Sequence, residues 1–203
     1  MLTRRHIRVK VMQSLYAYSQ SMNDNLVSEE KFLLKSMEEM HDLFLLLLDL
    51  MVEIKNNAEG YLEKSQLKHL PTDEEKDPNR KFVNNELIGL LENNSTLSNA
   101  LEARKLTHWK RDNEYVDILW KDLRESDLFR EYMSTRESSF KQDKEFVINL
   151  FKEVIAPNEK LYDYLEDRKL TWLDDFPLVN TAILKMLQKL KPGKEHAITR
   201  LFK

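Results

Sequence analysis

The chain has 203 residues, with 32 Lys and Arg against 35 Asp and Glu, three Gly, five Pro and no Cys. That length supports one substantial core or two small ones sharing an interface, and so few turn-formers exclude a turn-rich β-sandwich. The lack of Cys excludes disulfide and thiolate chemistry and suits a reducing, cytoplasmic setting.

The first twenty residues hold Arg4, Arg5, Arg8 and Lys10 and no acid, whereas the remainder carries 28 basic and 35 acidic groups, net −7. A positive end on a negative body directs a local field at a polyanion such as RNA. Ile7, Val11, Leu15 and Tyr18 recur at helical spacing, which predicts a first helix over about residues 3–21 with one apolar stripe. No apolar segment of the kind found in secretory signals follows Met1. Asn23 to Val27 is a polar break, and Ser28 before Glu29 and Glu30 reads as an N-cap with an acidic first turn. A long helix is expected from there to about Leu67, with Phe32, Met37, Met40, Phe44, Leu47, Leu48 and Met51 on its buried side. Between Leu43 and Val52 only Asp49 is polar, so this stretch should be buried on more than one face. Its longest apolar run, Leu43 to Leu48, is too short to span a bilayer. Pro71, Pro78 and a charge cluster mark 71–79 as a linker.

The second half repeats. Residues 80–107, shifted by 64, fall on 144–171 without a gap: Phe82-Val83 on Phe146-Val147, Asn85 on Asn149, Asn94 on Asn158, Leu97 on Leu161, Leu101-Glu102 on Leu165-Glu166, and Arg104-Lys105-Leu106-Thr107 on Arg168-Lys169-Leu170-Thr171. Trp109 and Trp172 follow closely. Each copy reads as helix, short break, helix, Trp, then an Asp-capped helix, using Asp112 in the first and Asp174 or Asp175 in the second. Pro177 suits a first helical turn. Two copies are few for a solenoid, so duplicated helical units packed on each other are expected. The expected organisation is an arm helix and long second helix over 1–70, a linker over 71–79, and repeat units over 80–142 and 143–203. Together they make an all-α fold of helical bundles in two packed lobes. Pro192-Gly193 stops a helix, and His196 to Phe202 reads as the start of another element.

Catalytic patterns are missing. Three scattered Gly make no phosphate-cradling loop, and none of the five His has a second His at ligand spacing, so no cofactor or metal is expected. Acid pairs such as Glu38-Glu39 read as solvated faces and caps. The repeated Arg-Lys-Leu-Thr reads better as helix C-terminal cations and a cap than as a phosphate site. Three readings remain for the basic first helix: a stripe packed on the bundle, a helix docked on a membrane or partner, and a nucleic-acid arm. Arg suits phosphates and base faces, Gln13 can read base edges, and Tyr16 can stack on a base or pack beside Met12.

The string from Arg4 to Gln20 resembles the amino-terminal arm of the NusB family of transcription antitermination factors: an Arg-rich start, a further Arg, small or apolar residues, Gln, a small residue, Leu and Tyr. Arg4, Arg5, Arg8, Gln13, Leu15 and Tyr16 match that order. Residues 143–187 are similar to a middle piece of the same fold, with Phe146, Leu150, Leu161, Leu165, Trp172, Ala182-Ile183-Leu184 and Met186-Leu187. The resemblance is to a longer branch with duplicated helices, and the family's last helices do not follow Lys203. It implies a non-enzymatic, RNA-binding accessory factor acting with RNA polymerase in antitermination. Such a factor binds a short single-stranded element of nascent ribosomal RNA together with the ribosomal protein NusE, whose surface would lie largely in those later helices. Arg4, Arg5, Arg8 and Lys10 would meet phosphates, with Gln13 and Tyr16 near bases. The alternative is a helical protein-interaction module with a basic docking arm.

Overall fold

The computed structural model describes residues 4–20, 25–68, 72–193, 198, 199 and 201; the side chains of 4–6, 73, 74 and 170 fall outside that description. All regular structure among these residues is helical: α1 (Arg4–Gln20), α2 (Leu26–Gln66), α3 (Asp73–Lys76), α4 (Glu86–Glu92), α5 (Ser95–Ala103), α6 (His108–Arg111), α7 (Glu114–Glu125), α8 (Asp127–Tyr132), α9 (Phe140–Leu150), α10 (Glu159–Arg168) and α11 (Phe176–Lys189). A π-helical turn, Phe151–Ile155, extends α9, and a 3₁₀ turn, Leu170–Asp175, joins α10 to α11.

The spine is α2, whose 41 residues extend about 60 Å. It starts two residues before Ser28: the Asn25 side chain accepts from the Ser28 N–H at 3.2 Å and is the cap. Asn supplies the same acceptor as Ser at this position, so the earlier of the two polar residues takes the helix start. Every residue from Leu43 to Leu48 is buried. Helices α4, α5, α6, α7 and α11 and the 3₁₀ turn all pack on α2, which explains burial around its whole circumference. Its first turns differ. No residue before Ser36 is buried, and Phe32, expected on the inner side, is exposed, because in this stretch α2 lies against α1. One hydrophobic cluster continues from Met40 to Leu201.

The duplication is visible in the elements. At a shift of 64, α4 falls on the π-helical turn, α5 on α10, α6 on the 3₁₀ turn and α7 on α11. Asn94 and Asn158 cap α5 and α10 identically, accepting from Leu97 N and Leu161 N at 2.9 Å. Phe82 and Phe146 meet edge to face, their ring centroids 5.6 Å apart. The copies diverge upstream: residues 81–84 form a turn where α9 is helical. Asn85 caps α4, whereas Asn149 lies inside α9.

The helices after each Trp are not capped by Asp side chains. Asn113 and Asp175 hold the N-cap positions of α7 and α11 without a capping hydrogen bond. Asp112 instead accepts from the Tyr164 hydroxyl at 2.7 Å and Arg168 at 2.9 Å. The linker region contains α3 and is tied down by Asn79, which donates to the carbonyls of Met133 and Thr135. In the tail, Ile198 and Leu201 are buried, and His41 Nε2 lies 2.8 Å from the Thr199 carbonyl.

Candidate nucleic-acid interface

The apolar stripe of α1 does not become core. Among its described residues none is buried; Val11 and Tyr18 are half-buried, while Ile7 and Leu15 stay exposed. Val11, Leu15 and Tyr18 face Leu26 and Leu33 across an apolar groove rimmed by Glu29 and Glu30.

Polar contacts tie α1 to the 3₁₀ turn as well. Lys10 Nζ contacts both Asp175 carboxylate oxygens, at 2.9 and 3.0 Å, with the two side chains 11% and 3% exposed. Gln13 Nε2 donates to Asp174 at 3.2 Å. Three residues on a helix turn through about 300°, so both side chains fall on the half facing the 3₁₀ turn. Burial, only partly offset by Lys10, holds the Asp175 carboxyl above its ordinary value.

The six residues expected to meet RNA therefore separate. Lys10 and Gln13 are engaged by the acid pair before α11. Arg8 and Tyr16 are exposed, Tyr16 by 67%, with Met12 between them at i+4 from Arg8. Arg4 and Arg5 occupy the first turn of α1, and their side chains lie outside the described residues. The free face carries a planar cation and an aromatic ring at i and i+8, a combination able to meet a phosphate and stack on a base.

The duplicated Arg-Lys-Leu-Thr corners turn toward acids. Arg104 pairs with Asp42 at 2.5 Å, Lys169 lies 3.4 Å from Glu39 and 3.5 Å from Asp42, and Thr171 donates to Glu39 at 2.8 Å. They anchor the repeat units to α2, across the molecule rather than along their own helix axes. Nearby His108 is held below the ordinary imidazole value by burial and then by Arg111 and Arg168.

Two polar centres lie elsewhere. Asp143 is buried; it accepts from the Glu86 backbone N–H at 2.7 Å, the Tyr132 hydroxyl at 2.6 Å and the Ser138 hydroxyl. Burial and this carboxylate push the Tyr132 phenol well above its usual value. Asp49 is pushed up to about 7, first by burial, then by Glu53, against the pull of Lys110. The Asp143 centre was not legible in the sequence, where that residue is one of many acids on amphipathic helices; only the fold brings Tyr132 and the start of α4 onto it.

Among the described residues, no group of three His, Asp or Glu could hold a metal ion, and no helix is long and apolar enough to cross a membrane. No protein-family model, curated protein or solved structure matches the chain.

Proposed function

We propose that this chain is an RNA-binding accessory factor of transcription antitermination, with a two-lobed, NusB-like arrangement, acting in the cytoplasm on a short single-stranded element of nascent ribosomal RNA alongside a small ribosomal protein and RNA polymerase. The observation that supports it best is the division of labour on α1. Lys10 and Gln13 seat the helix on Asp175 and Asp174, leaving Arg8 and Tyr16 on the open face. In this reading Arg4, Arg5 and Arg8 meet phosphates, Tyr16 stacks on a base, and Lys10 and Gln13 set the angle of the helix. The protein catalyses nothing; it holds RNA and presents it.

The test is a titration of the full chain with a fluorescent single-stranded ribosomal RNA leader fragment and with its duplex. Single strands should bind more tightly than the duplex, whose base faces are stacked and closed to Tyr16. Affinity should fall linearly with the logarithm of salt concentration. Equal binding of both forms, or none, defeats the reading. The second reading, a protein-interaction module with a basic arm, is favoured by the apolar residues exposed on α1 and at the start of α2: Met12, Leu15, Leu26 and Val27. It predicts binding to an acidic protein surface and no affinity for RNA.

A further inference from the structure

The corners that hold the repeat units to α2 are balanced in charge at one place and not at another. Arg104 and Lys169 share Glu39 and Asp42 on α2, two cations on two carboxylates, with Lys35 a further 4.0 Å from Glu39. At Asp112, by contrast, two guanidiniums meet one carboxylate. Arg168, from the end of α10, lies 2.9 Å from Asp112 Oδ2, and Arg111, from the end of α6, lies 3.6 Å from the same oxygen. The Tyr164 hydroxyl donates to that oxygen too. Glu114, Glu166 and Asp167, the next acids along the chain, pair with neither arginine among the described residues. The group around Asp112 therefore carries one net positive charge.

Both arginines keep donors for a further partner. A guanidinium has five N–H groups. Arg168 gives one hydrogen bond to Asp112 and lies 5.1 Å over the Tyr164 ring, while Arg111 stands beyond hydrogen-bond distance of Asp112. Their side chains are 40% and 62% exposed. His108 stands one turn before Arg111 on α6, on the same face. Its Nδ1 is buried and has no hydrogen-bond partner among the described residues. The ring registers the local charge: after burial, Arg111 and Arg168 are what hold the imidazole below its ordinary value, and each outweighs Asp112.

We propose that Arg111 and Arg168 form a binding site for a phosphate group at the junction of the two repeat units, with His108 beside it. A phosphate suits the pair better than a carboxylate. Its oxygens point to several sides and accept from two guanidinium forks at once, whereas a carboxylate fills one fork. It also brings the negative charge that the pair lacks. A phosphate in a nucleic-acid strand and a free phosphate offer this same chemistry. The site lies at the other end of the 3₁₀ turn from Asp174 and Asp175, which take Gln13 and Lys10, so it is separate from the open face of α1. It does not rest on the RNA reading of that face.

The experiment is an NMR pH titration of the His108 ring in the full chain, its signal assigned with His108→Gln. Inorganic phosphate is one probe and a single-stranded RNA without terminal phosphates is the other; sodium chloride at equal ionic strength is the control. A bound anion beside the ring favours the imidazolium, so the His108 midpoint should rise by roughly half a pH unit or more above the chloride control. Arg111→Gln, an exposed change, should remove most of that rise. Circular dichroism checks its helix content; if it does not fold, the parent's response against chloride decides. A rise with phosphate marks a free phosphate as a ligand, and a rise with RNA marks a strand phosphate; either supports the site. No rise beyond chloride with either probe overturns the inference, as does a rise that Arg111→Gln leaves intact. RNA that binds the chain without moving His108, when phosphate also fails to move it, sinks this site and leaves the reading of α1 standing. Phosphate binding here without any RNA affinity does the reverse.

Discussion

Trp109 and Trp172 hold the same helix in the same way, two turns apart. The Trp109 indole N–H donates to the Leu46 carbonyl at 2.8 Å, and the Trp172 indole N–H donates to the Glu39 carbonyl at 2.7 Å. The acceptors are seven residues apart on α2, about 10.5 Å along its axis. Both rings are buried. The two units thus clasp one rod, each through an indole that removes a large apolar surface from water and spends its one donor on the spine. Trp109→Phe and Trp172→Phe should each cost about 1 kcal/mol by loss of that bond, and the Ala variants roughly 3–5 kcal/mol by adding a cavity. Urea titration measures both. A Phe variant as damaging as its Ala partner would show that the indole bond, rather than packing, dominates.

Asp143 ties together three elements that the repeat alone does not join: α9, the start of α4 and the end of α8. Removing its carboxylate leaves the Glu86 N–H and the Tyr132 hydroxyl without their acceptor in a buried site. Asp143→Ala should cost about 2–3 kcal/mol, whereas Tyr132→Phe should cost less, because the carboxylate keeps its bonds to Glu86 and Ser138. Equal losses in chemical denaturation would point to one indivisible network.

Asp49 gives the protein a pH signature. Its folded value, about 7, lies above that of an unfolded carboxyl, so folding favours the protonated form. Its contribution is therefore most favourable at acid pH and is lost as pH rises from about 4 through about 7. Asp49→Asn should remove that part of the pH dependence and stabilise the protein above pH 7, by about 4 kcal/mol at most. Denaturation midpoints of parent and variant at pH 5 and pH 8 check this; a variant with the parent's full slope would refute it.

The Lys10–Asp175 pair ties α1 to the 3₁₀ turn. Lys10→Met leaves a buried carboxylate without its cation, and the double variant Lys10→Met/Asp175→Leu removes both charges. The single change should detach α1 and cost more than the double, by roughly 2 kcal/mol. Proteolysis within residues 4–20 reports the detachment. Equal protection of the arm in parent and single variant would show that the apolar groove suffices to hold it.

Much of this was legible in the chain. The 3.6-residue periodicity gave the helices, the run from Leu43 to Val52 marked a stretch buried on more than one face, and the ungapped match at a shift of 64 paired Asn94 with Asn158 and set Trp109 and Trp172 at like places, though not the capping role of the two asparagines. What was missed concerns charge. Asp112 and Asp175 look like caps because a helix begins just after each, but local spacing cannot reveal that Arg168 and Lys10 arrive from far along the chain to claim them. Lys10 and Gln13 looked as free as Arg8 for the same reason. The stripe of Ile7, Val11 and Leu15 suggested a packed helix; periodicity gives the face of a helix, but the amount of surface opposite it is a property of the tertiary fold.

Replacing Arg4, Arg5 and Arg8 together by Ala asks whether the open face of α1 binds single-stranded RNA, as proposed above. Parent and variant are titrated with single-stranded RNA at several salt concentrations, with thermal melts as controls. RNA binding by this face should then weaken, with a salt slope shallower by about two units for three lost phosphate contacts and stability within roughly 0.5 kcal/mol of the parent. Unchanged affinity and slope in a variant that melts like the parent would contradict it.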